Sequence, residues 1–344
     1  MLTIRGREQS RPPFAKGGTK TPMILADTLR KLPVGVVSPL EPLKNHCSWK
    51  IGGPADALVQ PRTEEEVIRL VEFVRGENVP FLVIGKGTNL LFPDGGIRGV
   101  VMKLGRLFSD FSIAGTEVRA RGGIWVPKLV KNLADAGLSG FEHAAGIPGS
   151  LGGLVTMNGG SLRHSAGENI RSVDAVSLAG ERRTFTKDEC GFSYRRSLFQ
   201  DPPDMPEKRW IVLGAVLDFR RSEPGAVRRE QIRVLGERRG KFPLDLPNCG
   251  SVFTNDPAVY ELAGPPGKII EDTGLKGETV GGARVSSLHA NFIVNLGGAS
   301  SRDVLALIGL VRRRVHDRIG VWLDCEVRYA DETGKLVPAS EACP

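Results

Sequence analysis

The amino-acid sequence predicts an α+β fold, and three observations predict it. Apolar residues at helical spacing recur in well-separated segments. Short apolar or alternating runs lie between them. Glycine, 43 of 344 residues, gathers in short runs beside those segments, as tight turns and close backbone approaches require. The length allows two or three compact units, each with its own core.

The first elements appear after residue 40. Thr63 and Glu66 have capping-box spacing, and Val67, Leu70, Val71 and Val74 then repeat at helical spacing. Val79 to Ile84 is a short apolar run and predicts a buried strand. Ala57 to Ile84 therefore predicts strand, helix, strand, with a glycine-rich loop at its end. Val118 to Ala120 predicts another strand. Val126, Leu129, Val130 and Leu133 predict a helix stopped by Gly137. Strands are predicted at Val173 to Leu178 and Trp210 to Phe219, and a charged, proline-initiated helix at Glu223 to Arg239. Ser300 and Asp303 cap a last helix with Val304, Leu307, Ile308, Val311 and Val315 on its buried face. Val321 to Tyr329 alternates with period two and predicts a half-buried strand with Glu326 on its polar face, away from the core. Residues 1–40 predict a basic, flexible extension, 41–222 a first unit in two lobes, and 223–322 a second unit. Residues 323–344 predict a C-terminal strand bearing Glu326, and a tail.

Composition narrows the function classes. No run approaches eighteen apolar residues, so no membrane span is expected. Cys47, Cys190, Cys249, Cys325 and Cys343 are too scattered for a metal pair or a disulfide framework. No His/Asp/Glu grouping has metal-ligand spacing. The formal charge of +8 comes without a recognition helix or zinc finger. A channel for a phosphorylated small molecule explains the sign equally well, and nucleic acid is not an expected partner.

Six stretches carry candidate chemistry. Gly85-Lys86-Gly87-Thr88-Asn89 follows a strand, and its backbone amides suit a phosphate nest; an ordinary tight turn reads equally well. Gly146 to Gly160 is glycine-dense, as backbone packed against a large planar or phosphorylated ligand would be; a connection between sheets is the alternative. Tyr194-Arg195-Arg196 offers a guanidinium to a carboxylate, or lies on the surface. Ser251 sits in Pro247 to Asn255 with a hydroxyl that can donate a proton, or cap. It lacks the elbow and triad of a serine hydrolase. Glu271 to Gly277, together with His289 to Phe292, suits a substrate wall. Glu326 alone is weak evidence.

Taken in order, Ile51 to Asp56, Gly85 to Leu91, Gly146 to Gly160, Tyr194 to Phe199, Pro247 to Asn255, Gly274 to Gly277, His289 to Asn295 and Leu323 to Val327 resemble the UDP-N-acetylenolpyruvoylglucosamine reductase (MurB) family. The resemblance implies a two-lobed FAD-binding domain of the vanillyl-alcohol-oxidase (PCMH) type and a C-terminal α+β substrate-binding domain. It implies FAD as cofactor and NADPH as hydride donor. UDP-N-acetylglucosamine enolpyruvate would be reduced to UDP-N-acetylmuramate for peptidoglycan synthesis. On the matching positions, Ile51, Gly52, Gly53, Gly85, Lys86, Gly87, Thr88, Asn89, Leu90, Gly149, Ser150, Gly152 and Gly153 would hold the cofactor. Tyr194, Asn255 and His289 would meet substrate. Ser251 would donate the proton, with Arg195 and Glu326 as its catalytic partners. Cys249 and Thr254 stand where alanine and lysine are expected. The short link from Gln200 to Ile211 matches the subclass without a long substrate-covering insertion. A cytoplasmic monomer is the accompanying expectation. An FAD oxidoreductase acting on another substrate, and a non-catalytic flavin-binding protein, are the competing readings.

Overall fold

A computed structural model describes residues 21–200 and 209–344; the basic stretch 1–20, expected to be flexible, lies outside the described residues. The first lobe is built on a sheet ordered Val36–Pro42, Pro54–Gln60, Ile97–Lys103, Phe81–Ile84. The first pair is antiparallel and the others are parallel. Parallel strands need a crossover, and the helix Glu64–Gly76 supplies one. The Thr63 hydroxyl accepts from the Glu66 N–H at 3.2 Å and fixes its start. Val67, Leu70, Val71 and Val74 are buried as the spacing predicts, each contributing about 1.5–3 kcal/mol over exposure.

The fold starts earlier than the sequence suggested. Pro22–Arg30 is a helix and Val36–Pro42 is a strand, so the segment from 22 to 40 is not an extension. Leu25 and Leu29 share a buried cluster with Val34, Ala57 and Val59. A stripe this short is hard to read beside a basic tail.

The second lobe is an antiparallel sheet ordered Arg182–Thr186, Ile170–Ser177, Trp210–Asp218, Glu117–Arg121, Phe111–Ala114. The helices Val126–Asp135 and Leu151–Thr156 pack residues into its core. The bridging helix spans Pro224–Lys241. The Gln231 amide ties it to the Val130 carbonyl at 2.9 Å.

The C-terminal unit pairs Thr279–Val280, Ala283–Val285 and Ile293–Asn295 in one small sheet. It packs the helix Ser301–Ile319 into the core it shares with the first lobe. The Trp49 indole donates to the Ile293 carbonyl at 2.7 Å, and the Asn295 amide returns a bond to the Trp49 carbonyl at 2.8 Å. The strand Arg328–Ala330 runs parallel to Leu90–Leu91. This pairing carries the end of the chain back to the loop that follows Phe81–Ile84. The strand expected from Val321 to Tyr329 is regular only from Arg328 to Ala330. Upstream, Leu323, Cys325 and Val327 are buried as the alternation predicts. Their backbone partners come from an irregular segment instead, with one bridge between Phe253 and Cys325. Among the described residues no helix is long and apolar enough to cross a membrane.

One buried group sets a pH dependence. His143 is buried, and among the described residues neither ring nitrogen has a hydrogen-bond partner. Burial, with the nearby His164 adding to it, pulls its pKa down to about 4. The folded state therefore resists protonating it. This contribution is intact above the unfolded value near 6.5 and is lost as pH falls towards 4. Between pH 7 and pH 5 the loss is about 2 kcal/mol. In urea titrations, His143→Phe is expected to remove most of that difference. An unchanged pH slope would show that His143 does not cause it.

Candidate functional site

Two glycine-rich loops meet where the lobes join. Gly85 to Asn89 follows the strand Phe81–Ile84, and none of its five backbone N–H groups donates a hydrogen bond among the described residues. Gly87 holds φ +62°, and a Cβ there would lie 2.0 Å from the His46 carbonyl oxygen. A Cβ on Gly85 would lie 2.0 Å from the Ser150 hydroxyl oxygen and 3.2 Å from its Cβ, so a side chain there would have to displace that hydroxyl. Ser150 caps the helix Leu151–Thr156. Gly152 N–H donates to the Gly122 carbonyl at 2.7 Å, and Val126 N–H to the Gly149 carbonyl at 3.0 Å.

Positive charge gathers at the first loop. The Lys86 ammonium lies 5.9 Å from the Trp125 ring centroid. Lys103 Nζ is 2.7 Å from His46 Nδ1, and His46 Nε2 is 2.9 Å from Glu41 Oε1. Burial first, then repulsion from Lys86, lowers the Lys103 pKa. Burial likewise lowers that of His46. Unpartnered N–H donors beside crowded ammonium groups suit a diphosphate, and the exposed Trp125 face beside them suits a ring. The residues present therefore fit FAD. Sequence reading missed Lys103, His46 and Glu41, because nothing in their spacing links them.

Four other cofactor candidates are described by packing. Ile51 is buried in the core. A Cβ on Gly52 would lie 2.8 Å from Phe92 Cβ, and one on Gly53 would lie 2.2 Å from the Asp94 carbonyl oxygen. Leu90 lies in the short strand beside the C-terminal one. Its carbonyl accepts from the Cys47 thiol at 3.1 Å and the Cys249 thiol at 3.4 Å.

Arg195 and Glu326, 131 positions apart in the chain, are in contact. Arg195 Nε lies 2.9 Å from Glu326 Oε1. Among the described residues its Nε–H makes no hydrogen bond. Glu326 is on the polar side of its segment, as the alternation indicates, yet it does not face solvent: its side chain is 16% exposed. Burial raises its pKa, and Arg195 only partly opposes the rise. Arg196, next in sequence, is exposed. Arg195 itself has φ +55° in a turn closed by Arg196 N–H to the Ser193 carbonyl at 3.0 Å. A left-handed non-glycine residue costs about 1–3 kcal/mol and is kept only where neighbours impose it.

Those neighbours come from the second loop. The Asn158 amide donates to the Ser193 carbonyl at 2.8 Å and accepts from Gly167 N–H at 2.9 Å. The Ser197 hydroxyl donates to the Thr156 carbonyl at 2.7 Å. Gln200 Nε2 donates to the Arg195 carbonyl at 2.7 Å. The first loop holds the other partner: Asn89 Nδ2 donates to the Glu326 carbonyl at 3.0 Å, and Arg328 N–H to the Asn89 carbonyl at 3.1 Å.

Ser251 is half-buried and lines a cleft of about 330 Å³ with Asn255, His289 and Lys268. Its hydroxyl makes no hydrogen bond among the described residues and starts no helix, so the capping reading has no support. The segment beside it is clamped. Asn291 Oδ1 accepts from Phe253 N–H and Nδ2 donates to the Phe253 carbonyl, both at 2.9 Å. Glu326 N–H donates to the Val252 carbonyl at 2.8 Å, which sets Ser251 and Glu326 on neighbouring segments. Burial raises the Tyr194 pKa, partly opposed by Arg195 and by the nearby Asn255 backbone N–H of this wall. His289 Nδ1 accepts from Asn291 N–H at 3.2 Å. Burial lowers its pKa and so favours the neutral ring, and with Nδ1 accepting, that ring carries its proton on Nε2. Sequence reading quoted Asn291 and Asn158 without giving either a role.

The geometry agrees with known proteins. Residues 55–186 match a family model described as an FAD binding domain. Residues 242–330 match one described as UDP-N-acetylenolpyruvoylglucosamine reductase, C-terminal domain. UDP-N-acetylenolpyruvoylglucosamine reductase 1 of Corynebacterium glutamicum is 44% identical over 299 residues, covering 87% of this chain and 88% of its own. The reductase of Heliobacterium modesticaldum is 42% identical over 297 residues, covering 86% and 91%. The crystal structure of UDP-N-acetylenolpyruvylglucosamine reductase (MurB) from Thermus caldophilus superposes with a TM-score of 0.70 at 32% identity, over 86% of this chain and 98% of that one. The α+β fold is thus that of a two-lobed FAD-binding domain of the PCMH type followed by a substrate-binding domain.

Proposed function

The chain belongs to the UDP-N-acetylenolpyruvoylglucosamine reductase family, and from that membership we propose that it reduces UDP-N-acetylglucosamine enolpyruvate to UDP-N-acetylmuramate with NADPH. FAD, when bound, supplies the hydride that reaches the terminal enol carbon. The residues do the rest. Gly85 to Asn89 offers its free N–H groups to the cofactor diphosphate, with Lys86 and Lys103 beside them. Electron density then builds at the carbon next to the carboxylate, and Ser251 donates its hydroxyl proton to that carbon. Arg195 faces the carboxylate and offsets its growing charge. Glu326 sets the guanidinium and, being buried, retains a proton above the usual carboxylate range. Asn255, Tyr194 and His289 form the wall that aligns the sugar. A serine hydroxyl is a weak acid, and works here only if its proton is held at the developing carbanion.

The observation that carries this reading is the meeting of Arg195 with Glu326, one backbone hydrogen bond from the Ser251 segment. An oxidoreductase for another substrate has no need of that trio. The reading brings with it a cytoplasmic monomer that uses small-molecule substrates and not nucleic acid.

An anaerobic two-step assay tests it. NADPH is expected to bleach the flavin, and the enolpyruvyl sugar to restore the colour with one sugar reduced per flavin. Bleaching without sugar-dependent recovery would leave a flavin reductase of some other substrate. Bound flavin that NADPH does not bleach would leave a binding protein.

A further inference from the structure

We propose that Gln200 is a positioning residue for the reaction, holding Arg195 in the left-handed conformation that aims its guanidinium at Glu326 and the substrate carboxylate. The inference rests on the role given to Arg195 above. The turn is pinned on both sides of its apex: Ser193 by Asn158 and Ser197 by the Thr156 carbonyl. Neither bond touches Arg195. Among the described residues, the one side-chain hydrogen bond to the Arg195 backbone comes from Gln200 Nε2, at 2.7 Å across five residues.

The chemistry of that bond is specific. A carbonyl oxygen only accepts, so the atom facing it must be a donor. Gln200 places its amide nitrogen there, and the same nitrogen lies 3.5 Å from the Met157 sulfur. The site therefore recognises Gln200 as a donor that links the turn to the end of the Leu151–Thr156 helix. With the donor gone, the flanking bonds of the turn remain but the Arg195 peptide loses its own tether, and the commoner right-handed region becomes more accessible than φ +55°. The guanidinium would then swing away from Glu326 while the flavin loops, held by their own bonds, stay in place.

Gln200→Leu and Gln200→Glu test this in the full-length holoprotein. Flavin content, bleaching by NADPH and recolouring by the enolpyruvyl sugar are measured from pH 5 to pH 8. Gln200→Leu is expected to keep its flavin and its bleaching rate but to recolour about 10–100-fold more slowly at saturating sugar. Gln200→Glu is expected to recolour as slowly as the leucine form at pH 8, where an ionised carboxylate cannot donate. Relative to the parent it should recover as pH falls, because a protonated carboxyl restores the donor. A residue that only stabilised the turn would give no such pH-dependent rescue. Parent-like recolouring in Gln200→Leu overturns the inference, as does a Gln200→Glu form that tracks the leucine form at every pH. If the leucine form fails to fold, the pH course of the glutamate form decides alone. A parent that bleaches but never recolours overturns the functional reading, and this inference with it.

Discussion

Ser251→Ala is expected to leave bleaching of the flavin by NADPH at the parent rate and to slow sugar-driven recolouring by about 10²–10⁴-fold, the usual reach of a positioned proton donor. The two half-reactions separate the explanations. The first needs no proton from Ser251; the second ends with one. The hydroxyl makes no hydrogen bond among the described residues. Its loss therefore breaks no bond within the protein, and unfolding in urea should shift by less than about 0.5 kcal/mol. Ser251→Cys should recover part of the recolouring rate, since a thiol also donates. Equal slowing of both steps would remove the acid role and return Ser251 to the cofactor pocket. Slowing accompanied by a large stability loss would return it to structure.

Much of this was legible in the sequence where local pattern and long-range outcome coincide. The Thr63 cap, the Ser300–Asp303 box and the buried stripe after it all appear as read. Each depends only on residues a few positions apart. The helix Pro22–Arg30 was hidden because nine residues beside a basic tail carry too little pattern. The run from Val321 to Tyr329 misled in a different way. Alternation reports which side faces the core, and Leu323, Cys325 and Val327 obey it. It does not report what covers the other side. The Arg195 turn covers Glu326, and only folding brings together two residues so far apart in sequence. The same limit hid Lys103 beside His46, and Asn291 across from Phe253. Asn158 and Asn291 gave no signal, since their role is to complete backbone bonds of a distant segment.

Glu326→Gln is expected to slow recolouring by about 100-fold or more and to change how stability varies with pH. Two effects follow from one environment. Burial raises the Glu326 pKa more than Arg195 lowers it, so the folded protein binds this proton more tightly than the unfolded chain does. Below the ordinary glutamate value both states are protonated and the group contributes no penalty. As pH rises through that value towards the folded one, ionising the buried carboxyl increasingly opposes folding, and above it the penalty is constant. Glutamine does not ionise, so the variant escapes the penalty. It also leaves Arg195 without its carboxylate, with two 3.4 Å contacts to the Gly160 carbonyl and the Tyr194 ring centroid 5.5 Å away. That cost does not vary with pH. The sign of the offset between the two proteins therefore depends on which cost is larger, but the slope does not. The stability of Glu326→Gln relative to the parent must rise from pH 4 to pH 8 in urea titrations. A difference that falls over that range would mean a carboxylate held ionised by Arg195, acting as a fixed charge rather than a proton-bearing partner. In that case the activity loss should also vanish at low pH, where the parent itself would be protonated. The buried carboxyl predicts the reverse: parent activity keeps its advantage at low pH, because there Glu326 still carries the proton that glutamine can only imitate.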